Sequence, residues 1–324
     1  MSKIAMAGAA AALAVWGGAS ARAAGDDGWT GSSAAASQVP ASAADPLATP
    51  EGKARFLASL NKRTGVIPLP TANAQLDLGT RYYFLGPDDA RRVIEGPWGN
   101  PKGTADGVMG MVFPAKMTPL DADGWGAVVT YLNSGYVADK DARSTDYGKV
   151  LDQLRDGEDQ DNADRQKQGF PSAHLVGWGQ PPSYDAAHHA LIWARDIKFG
   201  DQKDDSLNYD VRVLGRKGVF SLNIVSSMSQ LPQIRTAAQD LETTADFTPG
   251  ARYADFKPGV DKTAEYGLAG LILAGAGLVV AKKIGLIAIA LLFLKKGIAI
   301  VVAAAAGLWA WLRRKLGGRR KAVG

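Results

Sequence analysis

Between residues 51 and 244 the spacing of apolar side chains switches repeatedly between the two-residue period of strands and the longer period of helices. Residues 51–60 fit a short helix, and 75–85 fit a strand bounded by Asn73 and by Gly86-Pro87. Pro87-Asp88-Asp89 opens a second helix, with proline early and acids in the first turn, and Gly96-Pro97 closes it after Glu95. Short strands follow at 107–113 and 126–132. Tyr147, Val150, Leu151 and Leu154 share one face of the longest predicted helix, 147–167, whose distal half is polar and solvated. There Arg155 with Asp159, and Asp161 with Arg165, have the spacing of helical ion pairs.

Four strands come next, at 173–179, 190–199, 207–214 and 219–226. The first two are joined across Gln180-Pro181-Pro182-Ser183 and the last two across Gly215-Arg216-Lys217-Gly218. A closing helix at 230–244 carries Leu231, Ile234, Ala238 and Leu241 at helical spacing. This order predicts an α+β fold, an antiparallel sheet packed with helices.

The last hairpin has a readable register. If Gly215 to Gly218 form its loop, Leu214 faces Val219, Arg212 faces Ser221, Asp210 faces Asn223 and Asn208 faces Val225. Apolar then meets apolar on one face, and polar meets mostly polar on the other. Asn208, Asp210, Arg212, Ser221 and Asn223 emerge as one polar patch. One-sided solvation of antiparallel sheets makes it a solvated face; the functional alternative is a binding surface for a peptide or a polar ligand. Arg195 interrupts an otherwise apolar strand face of Leu191, Trp193, Ile197 and Phe199, so burial of that face would demand a carboxylate or carbonyl partner.

Outside the domain the pattern changes character. Met1-Ser2-Lys3, an Ala-rich apolar stretch from Ile4 to Gly18 and small residues to Ala24 have the order of a cleaved signal peptide, 1–24. Residues 25–50 form a flexible Ser/Ala/Pro linker to the exported domain, 51–265. After Glu265 no acid occurs, and apolar runs at 267–281, 284–294 and 297–312 alternate with basic pairs. This predicts a hydrophobic membrane anchor over 266–312 and a basic cytoplasmic tail over 313–324. Lys282, Lys283, Lys295, Lys296, Trp309, Trp311, Arg313, Arg314 and Lys315 are the candidate membrane-interface residues. A single crossing, with the main domain outside the cytoplasm at the bacterial inner membrane, satisfies the positive-inside rule; a two-span hairpin breaks it.

The anchor also changes the charge balance. Residues 282–324 hold ten Lys or Arg, so of the formal +5 of the whole chain the remainder keeps −5. A mildly acidic domain does not suit phosphate neutralisation, which argues against nucleic acid as a partner.

Candidates for chemistry are few. His174, His188 and His189 are the only histidines; the last two are adjacent in a predicted turn, where neighbouring side chains diverge, and no metal or cofactor is assigned. The acids Asp156, Glu158, Asp159, Asp161 and Asp164 lack the central glycine of a calcium loop. There is no cysteine, no G-x-S-x-G and no P-loop, and no catalytic residue is assigned.

Several motifs in one order carry a resemblance: Trp98-Gly99-Asn100-Pro101, Gly110-Met111-Val112-Phe113-Pro114, Gly124-Trp125-Gly126, Ser134-Gly135-Tyr136-Val137, 177–185 (GWGQPPSYD), 207–216 (LNYDVRVLGR) and Arg252-Tyr253-Ala254-Asp255-Phe256. From about Ala54 through the anchor the chain resembles the membrane-anchored bacterial proteins grouped as domain of unknown function 2167 (DUF2167). That resemblance implies an envelope protein with a C-terminal membrane segment and transfers no activity or catalytic residue. The element order from 147 to 244 is also similar to Mog1/PsbP-like α/β/α domains. The combined reading is a non-enzymatic binding module on the lipid bilayer, with another envelope protein or a second copy as partner. The alternatives are a membrane-bound hydrolase using Asp and His groups, and an accessory subunit of a transporter or channel.

Overall fold

The computed structural model describes residues 46–275 except Gln168. The signal peptide, most of the linker, the basic tail and every membrane-interface candidate from Lys282 to Lys315 lie outside the described residues. Among the described residues no helix is long and apolar enough to cross a membrane.

The chain opens with α1 (Pro50–Ala58), β1 (Lys62–Arg63), β2 (Val66–Leu69), β3 (Ala74–Asp77), β4 (Tyr82–Leu85), α2 (Pro87–Glu95), β5 (Val108–Pro114) and β6 (Gly126–Leu132). It continues with α3 (Tyr147–Arg155), α4 (Glu158–Lys167), β7 (Ala173–Asp185), β8 (Ala190–Phe199), β9 (Ser206–Leu214), β10 (Val219–Ser227), α5 (Leu231–Glu242), β11 (Ala245–Phe247) and α6 (Leu268–Gly275). Eight strands form one antiparallel sheet in the order β1-β4-β5-β6-β10-β9-β8-β7, and β11-β3-β2 form a smaller antiparallel sheet. The α+β expectation therefore holds.

Both faces of the large sheet are covered, because its strands carry large side chains on both sides. On one face Phe84, Val112, Val129, Val211, Leu222 and Ile224 pack with Ile234, Ala238 and Leu241 of α5 and with Ile67 and Leu76 of the small sheet. On the other, Phe113, Trp193, Ile197 and Phe199 pack with Ile94 of α2, Val150 and Leu154 of α3, and Leu268, Leu271 and Ile272 of α6. The first apolar run of the C-terminal region thus begins inside this second core.

The predicted bounds of α2, β6 and β8 coincide with those observed, and the β9–β10 register is the predicted one. Three predictions need correction. The strand read at 75–85 is two strands in different sheets, turned at Gly79, whose φ of 53° favours glycine and whose N–H is accepted by Asp77 Oδ1 at 3.3 Å. Apolar alternation survives the corner because both arms are buried.

The helix read at 147–167 is broken at Asp156-Gly157 into α3 and α4. Arg155 turns away from Asp159 and donates to the carbonyls of Leu175 (3.0 Å, Nε) and Val176, and Arg165 donates to that of Pro171 (2.9 Å). Buried Asn162 brackets Ala173 through both backbone groups, accepting at 2.7 Å and donating at 3.0 Å. α4 is a splint on the start of β7, held by side-chain bonds to backbone. Third, β7 does not stop at Gly179. It runs through Pro181-Pro182 to Asp185 with three register shifts against β8, and as an edge strand it can place prolines where no N–H is needed.

Candidate functional site

β9 and β10 are buried on both faces. Tyr209, Val211, Val213, Phe220, Leu222 and Ile224 enter the α5 core. The alternate residues Asn208 (1% exposed), Asp210 (0%), Arg212 (9%), Ser221 (1%) and Asn223 (9%) lie on the side of α3 and α6. The structure brings all five predicted residues together, but as an interior layer; the expected solvated sheet face is corrected. The expectation failed because the default of one wet face does not apply once helices roof that face, and α6 comes from residues read as membrane anchor.

Registration across the strands sets the layer. Asp210 stands opposite Trp193 on β8 and Asn223 on β10, Arg212 opposite Leu191 and Ser221, and Asn208 opposite Arg195 and Val225. The Asp210 carboxylate is clasped from two sides. Its Oδ2 accepts from Arg195 Nη2 at 3.3 Å, and its Oδ1 accepts from Arg212 Nη2 at 2.9 Å and Nε at 3.3 Å. The Arg212 guanidinium also lies over the Trp193 ring, 5.4 Å from its centroid. Arg195 thus finds the carboxylate its burial demands. Burial pushes its pKa down, Asp210 acts the other way, and Arg212 adds to the depression.

Two buried cations share one anion, leaving one positive charge in excess. Around them Asn208 Oδ1 and Nδ2, Ser221 Oγ, Asn223 Nδ2, Trp193 Nε1, Tyr147 Oη and Arg195 Nε have no hydrogen-bond partner among the described residues. Buried polar atoms are satisfied in the great majority of cases, so each of these atoms calls for a partner, a bound water included. A cavity of about 10 Å³ lined by Leu154, Leu175, Arg195 and Ile197 adjoins the layer, room for about one water.

The roof is fixed by carboxylates at helix N-termini. Asp146 caps α3, accepting from Gly148 and Lys149 N–H at 3.1 and 3.2 Å. Asp141 receives the first amides of α6, from Leu268 at 3.0 Å and Ala269 at 3.3 Å. Trp178 Nε1 donates to the Tyr147 carbonyl at 3.1 Å and ties α3 to β7. Tyr266, just before α6, has its pKa raised by burial, with its bond to Ser134 and the charge of Arg212 opposing.

Sequence reasoning assigned no site role to Trp193 or Arg195, although continuing the strand pairing from β9 to β8 would have placed both on the polar face. Tyr147 and Tyr266 carried no signal. The histidines are separate. His174 Nδ1 lies 3.3 Å from Glu158 Oε2, His188 Nδ1 lies 2.9 Å from Asp185 Oδ2, and His189 Nδ1 lies 3.1 Å from Tyr184 Oη. The adjacent pair diverges, as the turn predicts.

A family model described as "Protein of unknown function (DUF2167)" matches residues 61–306. No curated protein matches the chain. Among solved structures, it is similar to the solution structure of cyanobacterial PsbP (CyanoP) from Synechocystis sp. PCC 6803, at 11% identity and a TM-score of 0.34, over 59% of this chain and 94% of that one.

Proposed function

This chain belongs to the DUF2167 family, and from that premise we propose that it is a membrane-tethered, non-enzymatic binding module whose ligand site is the buried polar layer. The ligand is a negatively charged group, and because the adjoining cavity of about 10 Å³ holds only about one water, the α3–α6 roof must shift to admit it. The observation that carries this reading is the coincidence of one surplus cation with unpartnered Asn208, Ser221 and Asn223 on a rigid sheet. An anion there would take the second guanidinium's charge and the free amide and hydroxyl donors together.

Four of the acids open to the hydrolase alternative are committed to structural roles, and Asp185, which meets His188 and Glu242, is not among them. Asp210 is locked between arginines, Asp141 caps a helix, Asp139 accepts from Tyr184, and Asp261 is held by Arg216 through two bonds. Tethering follows from the apolar runs that continue the chain beyond α6, with the domain outside the cytoplasm by the charge rule. α6 is part of the roof and also lies within the first of those runs in sequence, so opening the roof for a ligand would displace the point at which the tail begins.

Native mass spectrometry of the full chain released in mild detergent tests this. A discrete anionic small molecule retained by the wild type and lost from the Asn208→Leu/Asn223→Leu double variant supports the reading. A wild type carrying no such adduct, with a double variant of equal or greater stability, overturns it and makes the layer a structural ion cluster.

A further inference from the structure

Asp185 at the end of β7, His188 in the turn that follows and Glu242 at the end of α5 meet apart from the polar layer. Asp185 Oδ2 lies 2.9 Å and Glu242 Oε1 3.8 Å from His188 Nδ1, and one ligand atom from each residue falls within 4.8 Å of the others. The Asp185 carboxylate is aimed by its own turn. Its Oδ1 accepts the N–H of Ala187 at 2.7 Å and of His188 at 3.4 Å, which leaves Oδ2 for the shared space.

Glu242 is the telling member. It is 8% exposed, and its Oε1 has no hydrogen-bond partner among the described residues. It is also the last residue of α5, where the helix dipole is negative, and it faces a second carboxylate. A buried anion so placed calls for a cation. His188 supplies at most one positive charge against two carboxylates.

We propose that Asp185, His188 and Glu242 form a binding site for a divalent transition-metal cation of the zinc class. The donor set is one imidazole nitrogen and two carboxylate oxygens, which suits zinc and its first-row neighbours. Metal–ligand bonds of roughly 2.0–2.2 Å in tetrahedral array put ligand atoms about 3.3–3.6 Å apart, a spacing bracketed by the 2.9 and 3.8 Å separations. The cation enters from the side of His188, whose side chain is 57% exposed against 7% for Glu242.

The test is a calorimetric zinc titration of the metal-stripped full chain beside His188→Gln, Glu242→Gln and the control His174→Gln. One equivalent bound by the wild type and by the control, with affinity at least tenfold weaker in the other two, supports the site. Unchanged affinity in His188→Gln and Glu242→Gln, or no wild-type binding below millimolar zinc, overturns it. X-ray absorption on the zinc-loaded wild type is independent of variant folding: a shell of one imidazole nitrogen with carboxylate oxygens supports the site, and a shell of water oxygens alone overturns it.

Discussion

The two faces of the β9–β10 hairpin are buried alike and built from opposite chemistry. On the α5 side Val211, Leu222 and Ile224 are all 0% exposed and wholly apolar; on the α3–α6 side Asp210 is 0% and Ser221 1% exposed among charges and unpartnered amides. Burial on the first face stabilises through area removed from water, about 25 cal/mol per Å². On the second it stabilises little, because desolvation of the ions offsets their attraction. Alternation along a strand therefore reports which residues share a face, and says nothing about whether that face is wet.

Breaking the polar face at its centre has the largest expected effect. Asp210→Ala leaves two guanidiniums buried without their anion and costs about 3–5 kcal/mol, read from the urea midpoint of unfolding. The matching cut on the apolar face, Leu222→Ala, costs about 2–5 kcal/mol by the same measurement, the value depending on how far the cavity collapses. If Asp210→Ala proved milder than a peripheral surface change, the two faces would not differ in this way.

Roof changes come next. Asp141→Ala removes the carboxylate from the N-terminus of α6 and costs about 1 kcal/mol, with loss of hydrogen-exchange protection concentrated in α6. The α3 cap responds to pH. The hydrogen bond from the Lys149 amide, aided by that from Gly148, holds the Asp146 carboxyl below its ordinary range. The folded state thus binds this proton less readily than the unfolded chain does. Its contribution is present above the unfolded value of about 3.9 and is lost as pH falls through the lower folded value. Amide protection in α3 should fall relative to α5 on acidification, since α5 has no side-chain cap, and Asp146→Asn should abolish that difference. The smallest effect is expected from Ser221→Ala. Removing a hydroxyl that has no partner changes stability by no more than about 0.5 kcal/mol, whereas a loss above about 1 kcal/mol would reveal a bond made by Ser221.

Much of the fold was legible where local chemistry and tertiary demand agree. Pro87, the following acids and Gly96 bound α2 from sequence alone, and the alternation from Asn208 to Val225 was enough to set the hairpin register. The roof was not legible. Its helices come from segments distant in sequence, and Leu268 to Leu273 are apolar enough to suit lipid or protein core equally. The break at Asp156-Gly157 had a local signal, since Asp-Gly is a turn dipeptide, but the helical ion-pair spacing on either side masked it, and what fixes the break, Arg155 and Glu158 bonding the Leu175 backbone, lies in β7. Of the site, the five patch residues were found as a set with the wrong surroundings. Asp185 and His188 are near neighbours, but Glu242 joins them only through the packing of α5.

The large sheet ends in β1, two residues long, and in β7, where prolines and register shifts interrupt the outer row of donors. Neither border offers a continuous ladder to another strand. Edge-to-edge growth of the large sheet is therefore obstructed at both of its borders, and the small sheet keeps β2 and β11 as its own short edges.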